Sequence, residues 1–330
     1  MARKIDQAMA AERPQKEKMR ELWADLYDSY LKIITEEDDV PLYLTLCGRS
    51  GGEIHTLIKR NLVKTTEVGG IAQEEFGRIV AVISSPKAAL DLQKTLPGLK
   101  ILDVDFKNIV RSDNPTSWPT GQDEKHCRAH IVNLDLNTTL NAVLDQGQVR
   151  FPILTWIQKL CQIHAKEPKI EWTLCLTLHA QIEWEREVCK MVRNFLKENF
   201  YREPKFAEGF RRVCGEPLTN SILKNEEIDF RSMDTEFQQA ILMVFVPKKI
   251  AQIVHGQGWC LKTKRNLRYG SEFKNRAPMV SWIINFEWDT RVSETPEVVY
   301  RDSLKNVFTG MGQISEDGTL FLKSKEYETN

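Results

Sequence analysis

The stretch from Leu42 to Leu62 constrains the fold most. A compact apolar run, Leu42 to Leu46, meets a turn carrying Gly48, Gly51 and Gly52, after which Ile54, Leu57, Ile58 and Leu62 recur at helical spacing. The order predicts a strand, a glycine turn and a helix. In open α/β sheets such a turn sits at the carboxyl end of a strand, where backbone N–H groups and the positive end of the helix can face a nucleotide-like ligand.

The segments that follow repeat the alternation. Arg78 to Ser84 is a second apolar run, and Ser85 is placed to cap a helix over Lys87 to Leu96 with Pro86 in its first turn. Pro97-Gly98 ends that helix, and a third run, Leu99 to Phe106, begins at once. Three strands and two helices joined by short connections make a right-handed parallel sheet the economical topology. A fourth strand is expected over His130 to Leu136, a helix over Val149 to Ala165, a fifth strand over Glu171 to Leu178 and a charged amphipathic helix over residues 183 to 200. Ala240 to Val246 reads as a strand and Pro247 to His255 as a short helix. Trp259 to Leu267 and Pro278 to Trp288 have the pattern of paired antiparallel strands, and Glu316-Asp317-Gly318 that of a hairpin turn. Ahead of the first strand, Met19, Leu22, Trp23, Leu26, Tyr27 and Tyr30 form an apolar stripe that marks a helix within residues 8 to 35. The expected plan is an N-terminal helical extension over residues 1–39, an α/β domain over 40–290 with a helical insertion at about 201–238, and a C-terminal extension over 291–330.

A hydrophobic content of 42% supplies a core, which excludes wholesale disorder. The 46 basic and 46 acidic side chains cancel, so only a local patch can argue for nucleic acid. The charged start lacks an apolar signal core, and no apolar stretch is long enough to span a bilayer; a soluble, cytoplasmic protein away from membranes is expected. Seven scattered cysteines without a CxxC pair argue against a disulfide framework and a zinc ribbon, and no metal is expected. His126-Cys127-Arg128-Ala129-His130 has the residue types of a metal site but no second pair at a matching distance. The glycine turn has neither the spacing nor the ending of a P-loop.

Five parallel-type strands with intervening helices and an antiparallel end, over about residues 40 to 290, resemble the class I S-adenosylmethionine-dependent methyltransferases. The resemblance implies a Rossmann-like, mostly parallel α/β sheet with antiparallel C-terminal strands, an N-terminal helix and a helical insertion. It implies S-adenosylmethionine as cofactor, with Gly48-Arg49-Ser50-Gly51-Gly52-Glu53 in the place of the cofactor loop; Ser50 replaces the usual middle glycine. The turn either holds that ligand or only permits tight strand-to-helix packing. The second strand ends Ile83-Ser84-Ser85, so Ser84 stands where the family carries a ribose-binding acid. Asp105 matches the place of an adenine-binding carboxylate. Asp135 and Asn137, in Asn133-Leu134-Asp135-Leu136-Asn137-Thr138, occupy the position of the acceptor-binding motif of amino-methyltransferases, without its prolines and aromatic. Two functions follow from this pattern. One is a methyltransferase acting on nucleic acid or protein; the other is a catalytically inactive, methyltransferase-like scaffold or nucleic-acid-binding subunit of a larger complex.

The densest basic and aromatic stretch is Lys262, Lys264, Arg265, Arg268 and Tyr269, with Lys274 and Arg276 beyond. Such a stretch either binds nucleic acid, with phosphates on the cations and bases on the rings, or forms a solvated hairpin tip.

Overall fold

The computed structural model describes residues 14–34, 41–47, 50–83, 85–102, 127–166, 169–270, 278–288, 307–308 and 310–322. In chain order the elements are helix α1 (Pro14–Leu31), strand β1 (Tyr43–Leu46), α2 (Gly52–Lys59), β2 (Ile79–Val82), α3 (Pro86–Thr95), β3 (Lys100–Leu102) and β4 (Ile131–Thr139). A small hairpin of β5 (Val143–Asp145) and β6 (Gln148–Arg150) precedes α4 (Pro152–His164) and β7 (Trp172–His179). Three helices follow, α5 (Arg186–Arg202), α6 (Pro204–Cys214) and α7 (Glu216–Lys224), then the long α8 (Thr235–Val254). The strands β8 (Trp259–Tyr269), β9 (Met279–Trp288), β10 (Met311–Ile314) and β11 (Leu320–Leu322) close the order.

Hydrogen bonding places the strands in the order β11-β10-β8-β9-β7-β4-β1-β2-β3. β1 runs parallel to β2 on one side and to β4 on the other, and β2 runs parallel to β3. The strand after β3 in sequence thus joins the opposite flank of β1, which makes the β1/β4 border the switch point of a Rossmann-like sheet. The antiparallel character lies in β8 and β9, which pair with one register shift between Thr263 and Arg265. There Thr263 opposes Ile284 and Arg265 opposes Ile283, leaving Lys264 as the extra residue of a bulge.

Two compact units share the chain. One comprises Met1–Asp135, Trp172–Cys175 and Ile314–Leu320, the other Leu136–Glu171, Leu176–Gln313 and Phe321–Asn330. In the first, Trp23 and Tyr27 of α1 are buried together with Tyr43 and Leu44 of β1 and Ile54 of α2, and the Tyr27 and Tyr43 rings meet edge to face at 5.9 Å. In the second, Phe245 of α8 lies 5.5 to 5.6 Å from the rings of Phe151, Trp184 and Phe195.

The expected first strand and the helix after it are present, as are the second strand and the Ser85 cap, whose hydroxyl accepts from Ala88 N at 3.4 Å. The expected strand over Ala240 to Val246 is instead the first half of α8, and Pro247 sits inside that helix rather than at the start of a new one. The run is apolar on every side because the helix is buried on every side, so no period distinguished it from a buried strand. Pro247 has no N–H to donate to the carbonyl of Met243. That oxygen accepts instead from Asn266 Nδ2 of β8 at 2.8 Å and from Trp282 Nε1 of β9 at 3.3 Å. The expected helix start at Val149 also changes, since Gln148–Arg150 is β6. Gln146 and Gly147, both at positive φ (48° and 79°), form the two-residue turn before it.

Candidate functional site

Where β1 ends, its parallel register with β4 sets Thr45 opposite Asn133. Side chains alternate along a strand, so Tyr43 and Thr45 share one face with Ile131, Asn133 and Asp135. Asp135 stands just beyond the paired residues, at the carboxyl end of β1. Thr45 and Asn133 are fully buried. Asn133 Nδ2 donates to Tyr43 Oη at 2.7 Å, while Asn133 Oδ1 is buried and accepts no hydrogen bond from a described residue.

The glycine turn carries the chain from this strand end into α2. Gly51 adopts φ 59°, and a Cβ there would fall 2.8 Å from Leu92 Cδ1 and 3.0 Å from Leu96 Cδ1. Both the left-handed backbone and the packing against α3 therefore require glycine. Two residues on, Glu53 is only 6% exposed, and its Oε1 accepts from Thr45 Oγ1 at 3.0 Å. Burial, and then the Asp135 carboxylate, hold the Glu53 carboxyl above its usual range against the pull of Arg20 and Lys16. The same burial, followed by the charge of Glu53, drives the Cys47 thiol well above its ordinary value. His55, in the next half-turn of α2, is pushed down by burial and by Arg20.

The cations come from α1. Lys16 forms an ion pair with Asp135, and its ammonium lies 5.3 Å from the Trp23 ring centroid. Arg20, 7% exposed, lays its guanidinium over the turn; a Cβ on Gly52 would fall 2.4 Å from Arg20 Nη2 and 2.5 Å from its Cζ. Neither cation was singled out from the sequence, although the stripe of Trp23 and Tyr27, continued backward at the same three- and four-residue steps, lands on Arg20 and Lys16.

Of the residues expected at a cofactor site, the structure brings together Gly51, Gly52 and Glu53, with Ser50 half-exposed in the turn. Gly48, Arg49, Ser84 and Asp105 lie outside the described residues. Asp135 is part of β4 and faces Lys16 and the Glu53 cluster; Asn137 stands two residues further along the same strand. The basic stretch is β8. Lys262 is paired with Glu287, and Arg268 with Glu236 at 3.4 Å and with Gln313. Tyr269 is 4% exposed, so its ring is not offered for stacking. Lys264 and Arg265, at the bulge, form no ion pair with a described residue, and Lys274 and Arg276 lie outside the description. No three His, Cys, Asp or Glu among the described residues are grouped to hold a metal, and none of the described helices is long and apolar enough to cross a membrane.

No protein-family model and no curated protein matches the sequence. Among solved structures, a modification subunit of a putative type I restriction enzyme from Vibrio vulnificus YJ016 is similar over 81% of this chain and 44% of its own length, at 8% identity and a TM-score of 0.36.

Proposed function

We propose that the chain is an S-adenosylmethionine-dependent methyltransferase acting on nucleic acid or protein, with its ligand cleft at the carboxyl ends of β1 and β4. The observation that carries this reading is the buried Thr45–Glu53 pair beside the half-buried Asp135 at the switch point of the sheet. Burying a carboxyl costs free energy unless it is paired, and Glu53 is paired with the Thr45 hydroxyl and with its own backbone N–H at the start of α2. A perturbed carboxyl such as Glu53 at such a place is characteristic of ligand sites. The donor set suits a cationic ligand, since Glu53 and Asp135 already draw two internal cations to themselves.

When bound, the cofactor supplies an electrophilic methyl group on a sulfonium. The chain's share is positioning. Gly51 and Gly52 keep the turn free of side chains, Glu53 is held by Thr45 as a hydrogen-bonding group, and Asp135 accepts from the N–H or O–H of the acceptor and aligns its lone pair. Lys264 and Arg265 are the cations of β8 open to a phosphate of a nucleic-acid acceptor. Titration calorimetry of the full chain with S-adenosylmethionine and S-adenosylhomocysteine is the direct test, and saturable heat is expected. Lack of heat with both ligands, in the chain and in a Lys16→Gln/Arg20→Gln variant that keeps its fold, rejects the reading. A second reading, a non-catalytic scaffold or nucleic-acid-binding subunit, is favoured by the Arg20 guanidinium over Gly52 and by the absence of a carboxylate in Ile83-Ser84-Ser85; it gains if that heat is missing.

A further inference from the structure

We infer that the first two turns of α1 are an intramolecular plug, with Lys16 closing the acceptor side of the cleft and Arg20 the cofactor side. The inference concerns regulation of the proposed ligand site and rests on that site's being one. Lys16 neutralises Asp135, the carboxylate placed to meet an acceptor, and Arg20 covers Gly52, the glycine over which a cofactor would pass. A cation on each half of the cleft blocks both ligands at once.

The anchorage of α1 is uneven along its length. Trp23, Ala24 and Tyr27 are at most 1% exposed, and Tyr30 Oη hydrogen-bonds Thr173 Oγ1 at 2.8 Å, so the second half is fixed in the core. The first two turns are held mainly by polar contacts: Lys16 to Asp135, Gln15 Nε2 to the carbonyl of Ile314 at 3.4 Å, and Arg20 over the turn, with Met19 the buried apolar side chain among them. Such contacts can be exchanged for those of a ligand, whereas the Trp23–Tyr27 stripe cannot leave without unfolding its unit. Opening is therefore a local event confined to the first turns. A ligand that binds only the open form sees its affinity lowered by the open fraction, so releasing the plug tightens binding without adding a contact.

Cys47 reads the plug independently of any cofactor. Its Sγ lies 3.8 Å from the position of a Cβ on Gly51, beneath the turn that Arg20 covers, and it is 8% exposed. Labelling the full chain with N-ethylmaleimide, with each cysteine followed by peptide mass mapping, is compared in the native protein, Lys16→Gln/Arg20→Gln and Gly52→Ala. The last evicts the guanidinium sterically while leaving both cations in the sequence. Cys47 should react about tenfold faster in both variants, the factor for local opening made easier by about 1.4 kcal/mol, while Cys161 and Cys175 keep their native rates. Faster Cys47 labelling in both variants, with tighter S-adenosylhomocysteine binding in Lys16→Gln/Arg20→Gln, supports both plug and site. Faster labelling with no binding in any protein keeps the plug and rejects the methyltransferase reading. An unchanged Cys47 rate in the two variants, or acceleration of all the buried cysteines together, overturns the plug.

Discussion

Each of the two units holds a buried polar constellation, and the two differ in what summons the polar groups. Around Met243 the backbone does so. Pro247 leaves a carbonyl without its helical donor, and Asn266 and Trp282 reach across from the strands to supply one. Around Glu53 the backbone asks for less: the carboxyl accepts from the N–H of Glu53 itself, one of the donors that the start of α2 leaves without a helical partner. Beyond that bond, the carboxyls of Glu53 and Asp135 and the cations of Lys16 and Arg20 are side chains brought together beside the end of β1, with Glu53 and Arg20 buried and Lys16 and Asp135 half-buried. A polar group that repairs the main chain is explained by folding; a cluster that goes beyond what the main chain needs points to a ligand or a switch.

Substitutions can break or sharpen this contrast. The largest effect is expected at Gly51, which lies at the cleft but belongs to the packing: Gly51→Ala should cost about 2–4 kcal/mol, combining left-handed strain with overpacking against Leu92 and Leu96. Denaturant unfolding measures it, and a loss well under that range would return Gly51 to the ligand. Next, Asn266→Leu should cost about 1–3 kcal/mol by taking the nearest donor from the Met243 carbonyl. Adding Pro247→Ala restores the N–H and should recover part of that loss; a double-mutant cycle without coupling would deny that Asn266 answers the proline.

The smallest effect on stability is expected at Glu53, and its sign separates the two constellations. Its folded-state pKa is raised from 4.5, so the folded chain holds a proton that the unfolded chain releases. Stability from this group is fully present below the unfolded value and declines as pH rises through the folded one. Glu53→Gln should flatten that decline, leaving the variant at least as stable as the native protein at neutral pH. A variant less stable at neutral pH, with the slope retained, would mean that Glu53 is a structural partner like Asn266.

Much of the frame was legible in the sequence because local signals agreed with tertiary ones. Gly51 marked a left-handed turn, Ser85-Pro86 a cap and a first turn, and the patterns on either side of residues 271–277 a strand pair. Legibility failed where burial erased the period, as in Ala240 to Val246, and where two residues made a turn without the usual Asn-Gly or Asp-Gly pair, as at Gln146-Gly147. The site was half visible. Glycines and acids announce themselves near a strand end, but Lys16 and Arg20 look like solvated charges until β4 and α2 are seen to face them. In β8 the basic neighbours of Tyr269 suggest a ring on which a base could stack, yet the ring is buried.

The bulge at Lys264 keeps the reading frame of β8. Trp282, Ile284 and Phe286 of β9 share one face, and their partners across the pair are Asn266, Thr263 and Leu261. Two of these partners are three positions apart because Lys264 is spliced between them. Because the bulge absorbs that exposed lysine, Thr263, Arg265 and Asn266 oppose the successive residues Ile284, Ile283 and Trp282; threaded in regular alternation, the same sequence would turn Asn266 to the opposite face. The bulge thus decides which side chain answers an internal carbonyl, and β8 should tolerate the loss of Lys264 better than the loss of a residue on either side of it.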